Sequence, residues 1–164
     1  GIGGDLPIAQ LDGPMDGSTV ATIIDTNLRA PIELTRVLLP GMLERRRGAI
    51  VFVASVVGHI AMPASAIYSA SKFGLRGFAH GLRREVAQRG IGVTIISPGF
   101  IKTDMTRWMG DLPFPGPEIV AHAIAGALVR PRRELFVPRY YRQLVWLEHL
   151  LPGVADLALR WRVR

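Results

Sequence analysis

Three side chains of this 164-residue sequence stand at a spacing suited to proton chemistry: Ser55, Tyr68 and Lys72. They occur in Ala54-Ser55-Val56-Val57-Gly58 and in Tyr68-Ser69-Ala70-Ser71-Lys72. If the second segment is helical, Tyr68 and Lys72 form an i, i+4 pair that projects from one face. A free phenol, with a pKa of ~10, keeps its proton at neutral pH and is a sluggish base. A neighbouring ammonium favours the phenolate and lowers that pKa. Ser55 follows the apolar run Ile50-Val51-Phe52-Val53-Ala54, which reads as a buried strand, so its hydroxyl is expected at the strand's carboxyl end. Open α/β sheets bind their ligands there.

Ser55 after its strand and Tyr68-x-x-x-Lys72 resemble the catalytic segment of the short-chain dehydrogenase/reductase family. The resemblance takes in Asp25-Thr26-Asn27-Leu28, where the family has its catalytic asparagine, and Ser97-Pro98-Gly99-Phe100-Ile101-Lys102-Thr103, and it fades beyond Arg130. It implies a Rossmann-like, doubly wound α/β fold with a parallel sheet, and an oxidoreductase that exchanges a hydride with NAD or NADP. Tyr68 is then the general acid or base, Ser55 orients the substrate oxygen, and Lys72 eases the proton transfer while holding the nicotinamide ribose hydroxyls. Asn27 is then expected to hold a water that links Lys72 to solvent. Cofactor contacts fall to Tyr68, Lys72, Pro98, Gly99, Ile101 and Thr103, with Ile101 acting through its backbone. The family also commonly forms homodimers or homotetramers through the helix that bears Tyr68.

Without the resemblance each piece has a plainer reading. Tyr-x-x-x-Lys is a common surface pair, a serine after a strand is usually a cap, and Pro98-Gly99 is an ordinary turn. Asn27 is then a helix-ending residue that satisfies loose backbone groups. The four histidines, His59, His80, His122 and His149, lack the spacing of metal ligands, so no metal site is expected.

Composition narrows the class. The chain is 49% hydrophobic and 20% charged, suited to one globular domain and unlike a disordered segment. It has no cysteine, which fits a reducing compartment and hence the cytoplasm, with membrane association as a second reading. No apolar run approaches the roughly 18 residues of a membrane span. The net charge of +7 is almost wholly arginine, Lys72 and Lys102 being the only lysines. Since no basic-aromatic motif recurs, scattered surface charge is favoured over a nucleic-acid face.

The elements that must position these residues follow in order. The first sixteen residues read as a loop. Ser18 is expected to cap a helix on which Val20, Ile23, Ile24 and Asn27 share the inward face. A second helix is expected from Pro31 to Arg46, kinked at Pro40 and stopped by Gly48. A strand covers Ala49 to Ala54, a helix Ser65 to Gln88, and another strand Gly92 to Ile96. Ala70, Gly74, Gly77 and Gly81 form a row of small residues on the second of these, which predicts close packing either within the subunit or across a dimer contact.

From Asp104 to Pro117 an apolar but irregular stretch, with Met105, Trp108, Met109, Leu112 and Phe114, suits either a loop over a lipophilic alcohol or carbonyl substrate or a cover for the core. A helix from Glu118 to Val129 and a strand from Glu134 to Val137 follow. Residues 1–138 are thus expected to form a partial Rossmann-type catalytic domain. Residues 139–164 form an amphipathic helical extension, broken at Pro152-Gly153, that docks on its own domain or dimer mate, or rests on a membrane surface. The glycine-rich turn that cradles a pyrophosphate, and the first strands of such a sheet, are missing from this sequence. The alternative to an oxidoreductase is accordingly a non-catalytic binding or assembly subunit of the same fold, or a peripheral membrane protein.

Overall fold

A computed structural model of the protein describes residues 17–160; the loop expected over the first sixteen residues and the end of the arginine-rich tail lie outside them. The described chain opens with one helical run rather than the two separate helices expected. Helix α1 (Gly17–Ile24) passes into a π-helical turn (Asp25–Arg29) and then into helix α2 (Ala30–Glu44), with right-handed helical dihedrals at Ile24, Arg29 and Ala30. The Ala30 N–H donates to the Asp25 carbonyl, one residue further back than in an α-helix. Pro31 supplies the reason: it has no N–H to donate, and its ring crowds the carbonyl of the residue four positions earlier, Asn27. The helix therefore widens at Asn27 instead of ending there.

Helix α2 continues through Pro40 and ends at Glu44. The reversal that follows is made by Arg46, at φ 49°, and not by Gly48, which is already the first residue of strand β1 (Gly48–Val53). After a single 3-10 turn at Val56–Gly58 come helix α3 (Ala66–Glu85), strand β2 (Ile91–Pro98), a 3-10 segment (Asp104–Met109), helix α4 (Glu118–Val129) and strand β3 (Glu134–Val137). Helix α5 (Tyr141–Leu150) and helix α6 (Pro152–Arg160) close the described chain, parted at Leu151 just before the expected Pro-Gly break.

The three strands form a parallel sheet in the order β1-β2-β3, with Gly48 facing Ile91 and Ile95 facing Glu134 in register. Parallel neighbours need crossover connections, and α3 and α4 supply them. Alternation along the strands sorts the core into two layers. Phe52, Val93 and Ile95 pack with Leu75, Ala79 and Leu82 of α3 and with Leu39 and Met42 of α2. Val51, Ile96, Leu135 and Val137 pack on the other side with Ile119, Ala123 and Ala127 of α4. A sheet covered on both faces by helices is the doubly wound α/β arrangement that the family resemblance implied.

The row of small residues on α3 is used unevenly. A side chain at Gly74 would press on the Leu28 methyls at 2.9 Å, so this glycine lets the π-helical turn lie close against α3. Gly77 and Gly81 have no atom within 4 Å of the place where a Cβ would stand.

Candidate active site

The site is built where β1 and β2 end. Ser55 lies beyond β1 with extended backbone and caps the 3-10 turn, its Oγ accepting from the Val57 N–H at 3.2 Å and donating to the Pro98 carbonyl at 3.4 Å. The turn then runs onto α3: a side chain at Gly58 would strike the Lys72 carbonyl oxygen at 2.9 Å, so only glycine lets the two backbones approach this closely. That approach brings Ser55 to Tyr68, and the Ser55 hydroxyl shares a hydrogen bond with the Tyr68 phenol.

Lys72, one turn further along α3, is only 5% exposed. Its Nζ donates to the Val53 carbonyl at 3.2 Å and stands 5.6 Å from the centroid of the Tyr68 ring. Burial lowers the Lys72 pKa to about 8, because the ammonium loses water. Burial also raises the Tyr68 phenol, and the Ser55 hydrogen bond only partly opposes it. This differs from the expectation that the ammonium would lower the phenol: Lys72 lies over the ring face, so the loss of water dominates. Tyr68 therefore holds its proton at neutral pH and is set up as a donor.

Asn27 is buried in the π-helical turn, 1% exposed, and its Nδ2 donates to the Ser71 hydroxyl at 3.2 Å. Ser71 in turn donates to the Tyr68 carbonyl at 2.7 Å, so Asn27 is joined to α3 at the turn between Tyr68 and Lys72. Asn27, Thr26, Val53 and Lys72 line one cleft along the outer side of β1.

Pro98 ends β2, and the Gly99 N–H donates to the Val137 carbonyl at 2.9 Å. Gly99 is pressed by the ring of Tyr141, which leaves no room for a Cβ, and the Tyr141 hydroxyl accepts from the Phe100 N–H at 3.2 Å. Helix α5 thus reaches the Pro98-Gly99 turn, and Tyr141 and Val145 are buried with Val56. Ile101 is buried and its carbonyl accepts from the Thr106 hydroxyl at 2.7 Å. Thr103 is exposed at the head of the 3-10 segment, where it forms a capping box with Thr106. Ser55 therefore touches both Tyr68 and Pro98, Lys72 stands over the Tyr68 ring, Asn27 reaches the Tyr68 backbone through Ser71 by two hydrogen bonds, and Ile101 and Thr103 continue along the loop.

The loop expected over the site closes on itself, with the Lys102 N–H donating to the Pro115 carbonyl at 2.8 Å. Phe114 stacks on Phe100, while Met105 and Leu112 stay exposed. Sequence reasoning missed one cluster. Glu134, at the start of β3, accepts from His59, Arg76 and Ser97, and no motif signalled it, because its partners come from three other parts of the chain. Among the described residues no group of three His, Asp or Glu side chains is placed to hold a metal ion.

A sheet of parallel strands with helices on both faces and polar side chains gathered at its carboxyl edge defines a Rossmann-like α/β protein. The chain belongs to the short-chain dehydrogenase family, whose sequence profile matches residues 4–111. It is 44% identical over 106 residues to the 3-oxoacyl-acyl-carrier-protein reductase FabG of Escherichia coli K12, covering 65% of this chain and 43% of that protein. It is 36% identical over 146 residues to dehydrogenase/reductase SDR family member 7B of Xenopus tropicalis, covering 80% of this chain and 47% of the relative. The chain thus spans about half the length, or less, of these curated relatives. A Burkholderia cenocepacia short chain dehydrogenase in complex with NADP superposes with a TM-score of 0.84 over 97% of this chain and 67% of that one, at 23% identity, a likeness of fold. A 4-hydroxyisoleucine dehydrogenase complexed with NADH and succinate superposes with a TM-score of 0.69 over 83% of this chain and 62% of that one, at 30% identity.

The buried lysine sets a pH signature. Below pH 8 the amine is charged in both folded and unfolded chains, and the folded state bears the full cost of its burial. Between pH 8 and 10.5 the folded protein sheds this proton while the unfolded chain keeps it, so stability rises with pH. The expected gain is about 3 kcal/mol, and Lys72→Met is expected to lack it. Urea unfolding of both proteins across this window checks the point: equal slopes would mean that Lys72 stays charged in the fold.

Proposed function

We propose that the protein is an NAD(P)-dependent oxidoreductase that interconverts an alcohol and a ketone or aldehyde. The observation that carries this reading is the hydrogen-bonded pair of Ser55 and Tyr68 with the buried Lys72 beside it, at the carboxyl ends of β1 and β2. The relatives support it: one is named a reductase, and two of the similar structures are complexes with NADP and with NADH.

The residues present fit the nicotinamide end of such a cofactor. The Lys72 ammonium has three donors and one reaches Val53, which leaves donors for ribose hydroxyls. On the family resemblance Pro98, Gly99, Ile101 and Thr103 would carry the cofactor contacts onward, Ile101 through its backbone and Thr103 through its hydroxyl. When bound, the nicotinamide gives or takes the hydride at the substrate carbon. Ser55 donates a hydrogen bond to the substrate oxygen and orients it. Tyr68 gives its proton to that oxygen in reduction and recovers it in oxidation. A phenol raised by burial is a willing donor only when its anion is stabilised as the proton leaves, and the Ser55 hydroxyl favours that anion. Asn27, through Ser71 and the cleft it shares with Lys72, stands on the path by which a proton returns from solvent to the lysine.

Apolar residues around the loop, the stacked Phe100 and Phe114 with exposed Met105 and Leu112, favour a lipophilic alcohol or carbonyl as substrate. Two outer surfaces favour partners. Leu34, Val37 and Leu38 of α2 are exposed and Gly77 and Gly81 of α3 are open, a small-and-apolar face suited to a second copy of this chain in a homodimer or homotetramer. On α5 and α6, Trp146 and Leu150 are 60% and 72% exposed, Leu147, Val154 and Leu157 accompany them at helical spacing, and the Arg142 guanidinium lies over the Trp146 ring. An apolar stripe edged by arginine suits an anionic lipid surface.

The protein expressed from its full coding region is expected to oxidise NADPH or NADH in the presence of a lipophilic ketone. Tyr68→Phe should lower kcat by about 10²–10⁴-fold with the circular dichroism unchanged. Unchanged turnover in this variant would sink the mechanism, and absence of turnover in the parent would favour the non-catalytic binding subunit. Val37→Asp should shift the sedimenting species towards the monomer; an unaltered species removes the α2–α3 face from the interface. Trp146→Glu with Leu150→Glu should abolish co-sedimentation with anionic liposomes, and equal binding by parent and variant would exclude α5–α6 as the lipid contact.

A further inference from the structure

Glu134 stands outside the reacting groups, yet three of the segments that supply them, those of Ser55, of Tyr68 and Lys72, and of Pro98, each send a side chain to it. Its Cα is fixed in the ladder opposite Ile95, and its carboxylate points to the α3 side of the sheet. There Oε1 accepts from His59 Nε2 at 2.6 Å, Ser97 Oγ at 2.7 Å and Arg76 Nε at 3.1 Å. Oε2 accepts from the same Arg76 nitrogen at 3.3 Å and lies 3.6 Å from His80 Nε2. The site is dry: the Glu134 side chain is 10% exposed and that of His59 3%.

The partners are not a random sample of the core. His59 closes the 3-10 turn that Ser55 opens, Arg76 and His80 follow Lys72 at successive turns of α3, and Ser97 precedes the Pro98-Gly99 turn. Burial by itself would raise the Glu134 carboxyl, but the hydrogen bonds from His59 and Ser97, with the charges of His59 and Arg76, bring it down to about 2. The carboxylate is therefore an anion throughout the physiological range, able to accept from all its donors at once. An apolar cluster in place of the carboxylate and all its partners would stabilise the fold about as well, so what the buried charge adds is a fixed geometry.

We propose that Glu134 is a positioning residue for the oxidoreductase reaction: one buried carboxylate that holds the Ser55 turn, the Tyr68–Lys72 helix and the Pro98-Gly99 turn in mutual register. This rests on the proposed oxidoreductase reading. It goes beyond that reading in assigning a function to a residue that touches neither substrate nor cofactor.

The test compares the parent with Glu134→Gln and with Ser97→Ala, which removes only the link to the Gly99 turn. Glutamine has one acceptor oxygen and no charge, and its N–H group faces Arg76 and His80, so the three donors that share Oε1 in the parent are held more weakly and the contact with α3 turns unfavourable. Amide hydrogen exchange without cofactor is expected to speed up in peptides spanning 55–60 and 97–103 in Glu134→Gln, with the β1–β2 ladder unchanged. In steady-state assays kcat per folded molecule should fall about tenfold or more, with the substrate KM changed less than about threefold, as for a misplaced but intact site. Ser97→Ala should act in the same direction more weakly, and the double variant should add little to Glu134→Gln. Uniformly faster exchange, or none in the two segments, would show a merely structural residue and overturn the proposal, as would an unchanged kcat despite local loosening. A parent without turnover would count against the oxidoreductase reading alone, and the exchange pattern would still decide whether Glu134 holds the two turns.

Discussion

A lysine ammonium taken out of water must find acceptors or lose its charge, and the region around Lys72 is arranged under that constraint. The ladder to β2 runs on past Val53, the Ala54 N–H donating to the Ile96 carbonyl at 2.8 Å, while the Val53 carbonyl serves Lys72. The amine can sit there because α3 crosses the end of the strand, and α3 can come that close because Gly58 carries no side chain. Ser55 and Tyr68 meet as a result of the same approach. One steric allowance at a glycine therefore sets both the protonation of the lysine and the contact between hydroxyl and phenol.

The helix that bears Asn27 is fitted to α3 by different means. An α-helix ending before Pro31 would expose four carbonyls, whereas widening to a π-helical turn keeps the run continuous and carries Asn27 inward to Ser71. Gly74 then admits Leu28 from the same turn. The irregular part of the helix lies against α3, beside the candidate site, where π-helical turns are often found.

The parts of this architecture that were legible in the sequence are those written locally. Tyr68 and Lys72 are one turn apart, Ser55 ends an apolar run, and together they carry the family resemblance that implied a parallel sheet. Residues 25–29 were not legible as a π-helical turn, because the composition around Asn27 and Pro31 reads equally well as one helix ending and another beginning. The turn at Arg46 was hidden because a left-handed arginine carries no signal and Gly48 nearby offered a plausible one. Glu134 was invisible for a deeper reason. Its donors, His59, Arg76 and Ser97, each look unremarkable among their neighbours, and only the stacking of β3 beside β2 brings them to one carboxylate. The docking of Tyr141 on Gly99 belongs to the same class, a contact made by topology and not by pattern.

That last contact changes what the carboxyl-terminal helices are to the rest of the molecule. Tyr141 accepts from the Phe100 N–H and covers Gly99, while the same helix presents Trp146 and Leu150 outward. One short rigid rod therefore has its root in the turn beside the site and its flank in solvent. If binding at the flank displaces the root, linkage requires a ligand at the turn to act on the flank by the same free energy. The end of the chain is in this sense a lever whose fulcrum is a glycine.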